Sequence, residues 1–286
     1  MLFALAAFSF WGIVPIYFRF LDHVSPLEIV AHRVIWTVLL LIVLLTLTGQ
    51  TKRFVALLRP GKRVMLLIAS ALLISSNWLV FVWAVSNERI LETSLGYFIN
   101  PLVNVLLGTV FLGERLRRMQ QVAVALATAG VVYLVIDLGA LPWVSLVLPI
   151  SFGLYGFIRK QVEVDSLHGL LIEMLALFPF AGMYLGYLLF NERGSFLTVN
   201  LNTDALLLLT GPFTVFPLGC FAAGARRITL STLGFVQYLA PTLTFFVAVF
   251  LYREPFLRAQ LITFSCIWVS LAIFSVDGYR ASRRGG

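Results

Sequence analysis

Apolar residues run along this chain in ten blocks, separated by short clusters of charged and turn-forming residues. The blocks fall at about 2–20, 27–48, 64–86, 93–112, 119–137, 142–159, 169–190, 204–225, 229–252 and 259–277. Each is close to the roughly 20 residues that an α-helix needs to cross the hydrocarbon core of a bilayer. None alternates with the period of two expected of a transmembrane strand. The pattern therefore predicts an all-α integral membrane protein of ten transmembrane helices.

Composition narrows the class further. Of the 286 residues, 60% are hydrophobic and 12% are charged, whereas a soluble domain carries about 25% charged residues. Disorder, collagen, coiled coil and a disulfide scaffold are excluded by the same figures. The length accommodates roughly ten to twelve spans and leaves no stretch for a separate soluble domain. Met1 leads directly into an apolar run with no basic region before it, so no cleavable signal peptide is expected. Cys220 and Cys266 lie in apolar runs, form no C-x-x-C pair, and read as small buried hydrophobes.

The net charge of +8 comes from 21 Lys and Arg against 13 Asp and Glu. Its distribution gives it meaning. With the N-terminus inside, the inside loops and tail hold 15 of the 21 cations, the outside loops five, and Arg33 lies within a span. That bias predicts both termini in the cytoplasm. It accounts for the basic character through the membrane, with no nucleic-acid partner.

The chain also repeats. A shift of 140 residues places Pro101 on Pro241, Glu114 on Glu254, Arg118 on Arg258, Gln120 on Gln260 and Asp137 on Asp277. Each proline falls mid-helix and each glutamate follows that helix. Two five-span halves, 1–138 and 139–286, are expected. Five is odd, so the second half enters the membrane inverted, as in many secondary transporters, with a substrate site near the midplane between the halves.

Glu28-Ile-Val-Ala-His32-Arg33-Val-Ile-Trp36, Asn77-Trp78, and Leu95-Gly96-Tyr97-Phe98-Ile99-Asn100-Pro101-Leu102-Val103-Asn104 resemble the EamA group of the drug/metabolite transporter superfamily. Ser231 to Phe235, Gln237-Tyr238 and Pro241-Thr242 fit the same pattern in the second half. The resemblance covers nearly the whole chain. It implies two five-helix EamA-type repeats in the bacterial inner membrane, and a carrier whose relatives are associated with chloramphenicol sensitivity and with export of amino acids and other metabolites.

Ionisable residues inside spans are the first functional candidates, because charge in lipid costs several kcal/mol. Glu28 and His32 are four apart and share a helix face, and Arg33 points about 100° away. They are candidates for outer gating or proton coupling, with a structural ion pair at the membrane edge as the other reading. Glu173 is the matching candidate in the second half, where Ile172-Glu173-Met174 echoes Leu27-Glu28-Ile29.

The substrate-binding candidates are Trp11, Tyr17, Asn77, Trp78, Tyr97, Asn100, Asn104, Gln237 and Tyr238. Asn100 and Asn104 share a face beside Pro101, which is expected to break its helix and free backbone acceptors. Gln237 and Tyr238 stand at the corresponding place before Pro241. Helix–helix hydrogen bonding is the alternative role for these amides. The aromatic residues can stack on a substrate ring or cation, or face lipid. Glu114 and Glu254, each with arginines beside it, are expected to be structural caps.

No H-E-x-x-H, G-x-S-x-G, paired-Asp or Walker motif occurs, and His23, His32 and His168 are far apart, so no enzyme, metal or cofactor is expected. The expected partners are a small-molecule substrate and the lipid bilayer, with homodimerisation left open. The reading is a secondary transporter that exports small organic metabolites or drug-like compounds by alternating access. A proton-independent facilitative carrier and a membrane-embedded enzyme stand as alternatives.

Overall fold

The computed structural model describes residues 1–86, 90–139, 143–251 and 258–284, and among these every regular element is helical. The predicted segments fall on α1 (Leu2–Arg19), α2 (Pro26–Leu47), α4 (Lys62–Ser86), α5 (Ile90–Phe111), α6 (Arg118–Leu138), α7 (Val144–Gln161), α8 (Ser166–Phe190), α9 (Leu201–Ala225), the pair α10 (Leu230–Gln237) and α11 (Leu239–Phe246), and α12 (Arg258–Arg284). A π-helical stretch, Val247–Leu251, follows α11. A short helix that the loop reading missed, α3 (Thr51–Leu57), buries Phe54 among basic neighbours.

Among the described residues, seven helices (α1, α2, α4, α6, α8, α9 and α12) contain stretches long and apolar enough to cross a membrane by length and composition. α5 contributes a shorter apolar stretch, Gly96–Phe111. α7 carries two glycines, two serines and the Arg159–Lys160 pair, and its place in the ten is not shown by hydropathy. The ninth predicted span is not one helix: it divides at Tyr238.

Helix ends follow local chemistry. Pro26 opens α2, where its missing N–H costs nothing. The Asn200 side chain accepts from the Thr203 N–H at 2.8 Å to cap α9, and Thr229 caps α10 through the Thr232 N–H at 3.1 Å.

The division at Tyr238 follows from Pro241, whose ring crowds the carbonyl four residues back, at Gln237. Tyr238 N–H turns instead to the Phe235 carbonyl at 3.2 Å. The expected break at Pro101 is corrected: α5 runs through its proline. α5 packs along α7 and against α10, and these neighbours hold it in helical form.

Helix packing is paired across the chain. α2 lies on α8, α5 on α10, and α6 on α12. α1 packs on α9 and α11, as α7 packs on α4 and α5, and α2 on α9 is matched by α8 on α4. Two glycines permit close approaches to a neighbouring backbone. A Cβ on Gly234 would stand 2.6 Å from the Pro101 carbonyl oxygen, and one on Gly211 would stand 2.9 Å from the Trp36 backbone.

Candidate functional site

The end of the bundle carrying the α1–α2 and α8–α9 connections is the one predicted to face outward, and is called the outer end. There Glu28 is buried in the first turn of α2. Its Oε1 accepts from the Ser195 N–H at 2.5 Å, and its Oε2 from the Ser195 hydroxyl at 3.0 Å. His32 Nε2 stands 3.9 Å from Glu28 Oε1. His32 Nδ1 accepts from Trp36 Nε1 at 3.1 Å. That bond assigns the imidazole proton to Nε2, on the Glu28 side. Phe196 covers the pair, its ring centroid 5.1 Å from that of His32.

The α8–α9 connection is thus strapped onto α2. It includes Leu197 in the left-handed region at φ 62°, with its N–H bonded to Asp204 Oδ1 at 2.6 Å. The strap was not foreseen. Its only signal is a polar ten-residue interval that ends in an Asn cap.

Arg33 separates from this cluster, as the 100° rotation between neighbours on a helix requires. Its Nε donates to Thr214 Oγ1 at 3.1 Å. Its guanidinium carbon lies 4.3 Å from the centroid of Trp78 and 5.9 Å from that of Phe18. Tyr17 and Tyr97 are within electrostatic reach. Arg33 stands seven residues below the start of α2, Trp78 eight before the end of α4, and Tyr97 seven into α5. At about 1.5 Å per residue they share one level, roughly 10–12 Å from the outer helix ends. Tyr97 keeps 45% of its surface accessible. Tyr17 donates to the Leu206 carbonyl and stacks on Phe213 at 4.2 Å, tying α1 to α9.

The other candidates are placed elsewhere. Trp11 packs in an aromatic cluster with Phe8, Phe152 and Phe221. Asn77 spends its amide on α7, donating to the Leu148 carbonyl at 2.8 Å and Ser151 Oγ at 2.9 Å. Asn104 Nδ2 donates to Gln237 Oε1 at 2.7 Å, and Tyr238 OH donates to the Phe98 carbonyl at 3.2 Å. These three residues join α5 to the α10–α11 break. Asn100 is buried beside them with no partner for its Oδ1 among the described residues.

Below this level the inner end is closed by charged caps. Glu114 accepts from the Leu230 N–H at 2.6 Å, the Ser231 N–H at 2.9 Å and the Ser231 hydroxyl at 2.8 Å. It places an anion on the N-terminus of α10. The glutamate is a cap as expected, but of a distant helix, and its partners are not the adjacent arginines. Glu254, Arg253 and Arg89 lie outside the described residues. Lys160 donates to the Ala225 and Ile228 carbonyls, a cation at the C-terminus of α9.

Glu173 is fully buried. It accepts from Ser70 Oγ at 2.6 Å and from Tyr155 OH at 3.5 Å, and it pairs with Arg159 at 3.5 Å. Arg159, counted above among loop cations, is corrected: it lies in the last turn of α7 at 1% exposure. Its signal in the sequence was the spacing from Tyr155, four residues earlier on the same face.

A separate cavity of about 500 Å³ lies along α2, α8 and α9 and contains no predicted site residue. Among the described residues, no group of His, Cys, Asp or Glu is arranged to hold a metal ion.

Comparison with known proteins adds lineage to this geometry. The model of the EamA-like transporter family matches residues 1–136. Protein RarD of Salmonella typhi is 46% identical over 99% of this chain and 97% of its own. A protein of Vibrio cholerae serotype O1, named only as a transporter, is 45% identical over 98% of this chain and 93% of its own. A crystal structure 19% identical in sequence superposes with a TM-score of 0.72 over 95% of both chains. At that identity the likeness concerns the fold.

Proposed function

The chain belongs to the EamA-like transporter family, as a relative of RarD, and from that premise we propose that it is a secondary transporter working by alternating access. In this reading ten helices cross the bacterial inner membrane, both termini are cytoplasmic, and residues 1–138 and 139–286 form inverted halves. The paired packing of α2 with α8, α5 with α10 and α6 with α12 supports that division. So does a family match that ends at residue 136. No catalytic step is assigned to the chain.

One observation carries the mechanism. α5 and the inner part of the bundle are joined at α10 through Asn104, Gln237 and Glu114. Among the described residues, α1 has no substantial packing on α4 or α5. One side is sealed, and the level of Arg33, Trp78 and Tyr97 lies on the other side of that seal. Release of the α5–α10 contacts, with closure of α1 and α2 onto α4 and α5, would transfer access to the inner end. The favoured cargo is a small organic metabolite or drug-like compound, amino-acid-like or chloramphenicol-like, moving outward.

Glu28 and His32 are the proposed outer gate. A proton arriving on His32 Nδ1 must displace the Trp36 bond, and one arriving on Glu28 weakens both Ser195 bonds. The second event would loosen the strap directly, and the first would free Trp36, which packs on Phe196 of the strap. The second reading, a facilitative carrier without proton coupling, is favoured by the full engagement of Glu28 with Ser195, which needs no titration to hold.

Proteoliposomes loaded with amino acids or chloramphenicol separate these readings. Efflux that a pH gradient accelerates, with the response lost in Glu28→Gln or His32→Ala, supports coupling. Efflux indifferent to the gradient supports the facilitative carrier. No efflux of any member overturns the proposed cargo.

A further inference from the structure

We propose that Arg33 is the anion anchor of the transport site, taking the single carboxylate of an organic substrate whose apolar part lies among Trp78, Tyr97 and Phe18. The proposal rests on the carrier reading above and names the substrate class for it.

A guanidinium two turns inside a membrane helix normally needs a counter-charge, because its desolvation is otherwise uncompensated. Arg159 has one in Glu173. Arg33 has no carboxylate within ion-pairing distance among the described residues. Glu28, five residues away on the same helix, is committed to Ser195 and faces His32.

The neighbours of Arg33 orient the guanidinium without neutralising it. The Thr214 hydroxyl donates to the Thr210 carbonyl at 2.7 Å, so its oxygen is left to accept from Arg33 Nε. Trp78 covers one face of the guanidinium. With Nε held and one face stacked, the two terminal nitrogens are the free edge, and that edge has the geometry of a bidentate carboxylate partner.

Arg33 is also not fully enclosed by protein. Its side chain is half-buried, and Tyr97 on the same level is 45% exposed. Arg159, by contrast, is sealed from solvent, its Nη1 turned to Glu173 at 3.5 Å and its Nη2 spent on the Ser166 carbonyl. Besides Thr214, the described side chains around Arg33 include Trp78, Phe18, Tyr17 and Tyr97, which are aromatic and carry no charge. One cation in an aromatic setting matches one carboxylate on an apolar body. A phosphate dianion would call for a second cation.

The test uses the full chain in nanodiscs and matched pairs of probes: L-phenylalanine with L-phenylalaninamide, benzoate with benzamide, and inorganic phosphate. Ligand-induced shifts in unfolding temperature and in tryptophan fluorescence are read against concentration. The acids are expected to half-saturate at least about tenfold below their amides, with phosphate weak. Arg33→Gln should abolish the preference. Arg33→Lys should keep part of it, because the charge remains and the fork is lost, and Thr214→Val should weaken it with the charge intact. The proposal is overturned if amides bind as well as acids, if Arg33→Gln keeps the preference, or if no carboxylate shifts the folded protein.

Efflux from proteoliposomes distinguishes the two levels of the argument. Carboxylate binding through Arg33 without efflux would sink the carrier reading and leave the site. Efflux that ignores both the carboxylate and Arg33 would sink the site and leave the carrier.

Discussion

Glu28 and Glu173 sit in matching triplets on α2 and α8, two helices that pack on each other, yet their environments differ. Glu28 is the third residue of α2, and Glu173 is the eighth of α8. Near a helix end, a carboxylate can reach loop backbone, and Glu28 takes the N–H and hydroxyl of Ser195. Five residues deeper, about one and a half turns, Glu173 bonds no loop backbone among the described residues. Glu173 is instead matched by a cation and hydroxyls from neighbouring helices, Arg159, Ser70 and Tyr155. Depth along the helix, not the local sequence, decides whether the same side chain fastens a strap or joins three helices.

The largest expected effect breaks the deep site. Glu173→Ala leaves the Arg159 guanidinium buried without its anion, a loss of about 3–5 kcal/mol, read as a fall in the unfolding temperature of the purified protein. Replacing both residues together by Met should recover most of that loss, because an apolar pair avoids the desolvation cost. A double variant as unstable as Glu173→Ala would show that Ser70 and Tyr155, not the ion pair, set the cost.

Glu28→Ala should cost less, about 1–3 kcal/mol, since it strands the Ser195 N–H near solvent. Its signature should be local. Hydrogen exchange should rise across 191–200 while the helices of the inner end keep their protection. Faster exchange throughout the bundle would remove the distinction between strap and core.

How much of this was legible in the sequence follows the same division by depth. The all-helical class and most of the helices were legible from the apolar blocks, although α3 and the division of the ninth block were not. The Glu28–His32 pair was legible as an i, i+4 relation. The roles of Asn77 and Asn104 were not, since an amide on a helix face does not say whether a partner helix or a cavity lies opposite. The Pro101 and Pro241 contrast was also hidden. Identical prolines produce one intact helix and one divided helix because the packing around them differs. Arg159 looked like a loop cation because its carboxylate is fourteen residues away on the next helix.

A smaller effect sharpens the outer half of the comparison. Tyr17→Phe removes one hydrogen bond to the Leu206 carbonyl and keeps the stack on Phe213, for a loss of about 1 kcal/mol. Reactivity of a cysteine placed on the outer part of α1 should increase, because α1 is released from α9. Unchanged reactivity would mean that the aromatic stack alone holds the two helices.

The smallest effect concerns the inner end, where Asp165 precedes α8 outside the membrane segment. Partial burial pushes its carboxyl up, but the hydrogen bond and charge of His168, the Ser166 N–H and the Arg226 charge outweigh that burial. The group therefore titrates below its ordinary range. His168 Nδ1 is 3.0 Å away and Arg226 Nη2 3.9 Å. A carboxylate with a depressed folded pKa contributes stability above its unfolded pKa and loses it as pH falls through the folded one. Asp165 is 38% exposed at its side chain, so solvent screens the contribution and the effect stays small. Unfolding of the wild-type chain should steepen slightly on the acid side, and Asp165→Asn should flatten that slope while changing little near neutral pH. An acid limb that survives in Asp165→Asn would assign it to other carboxylates.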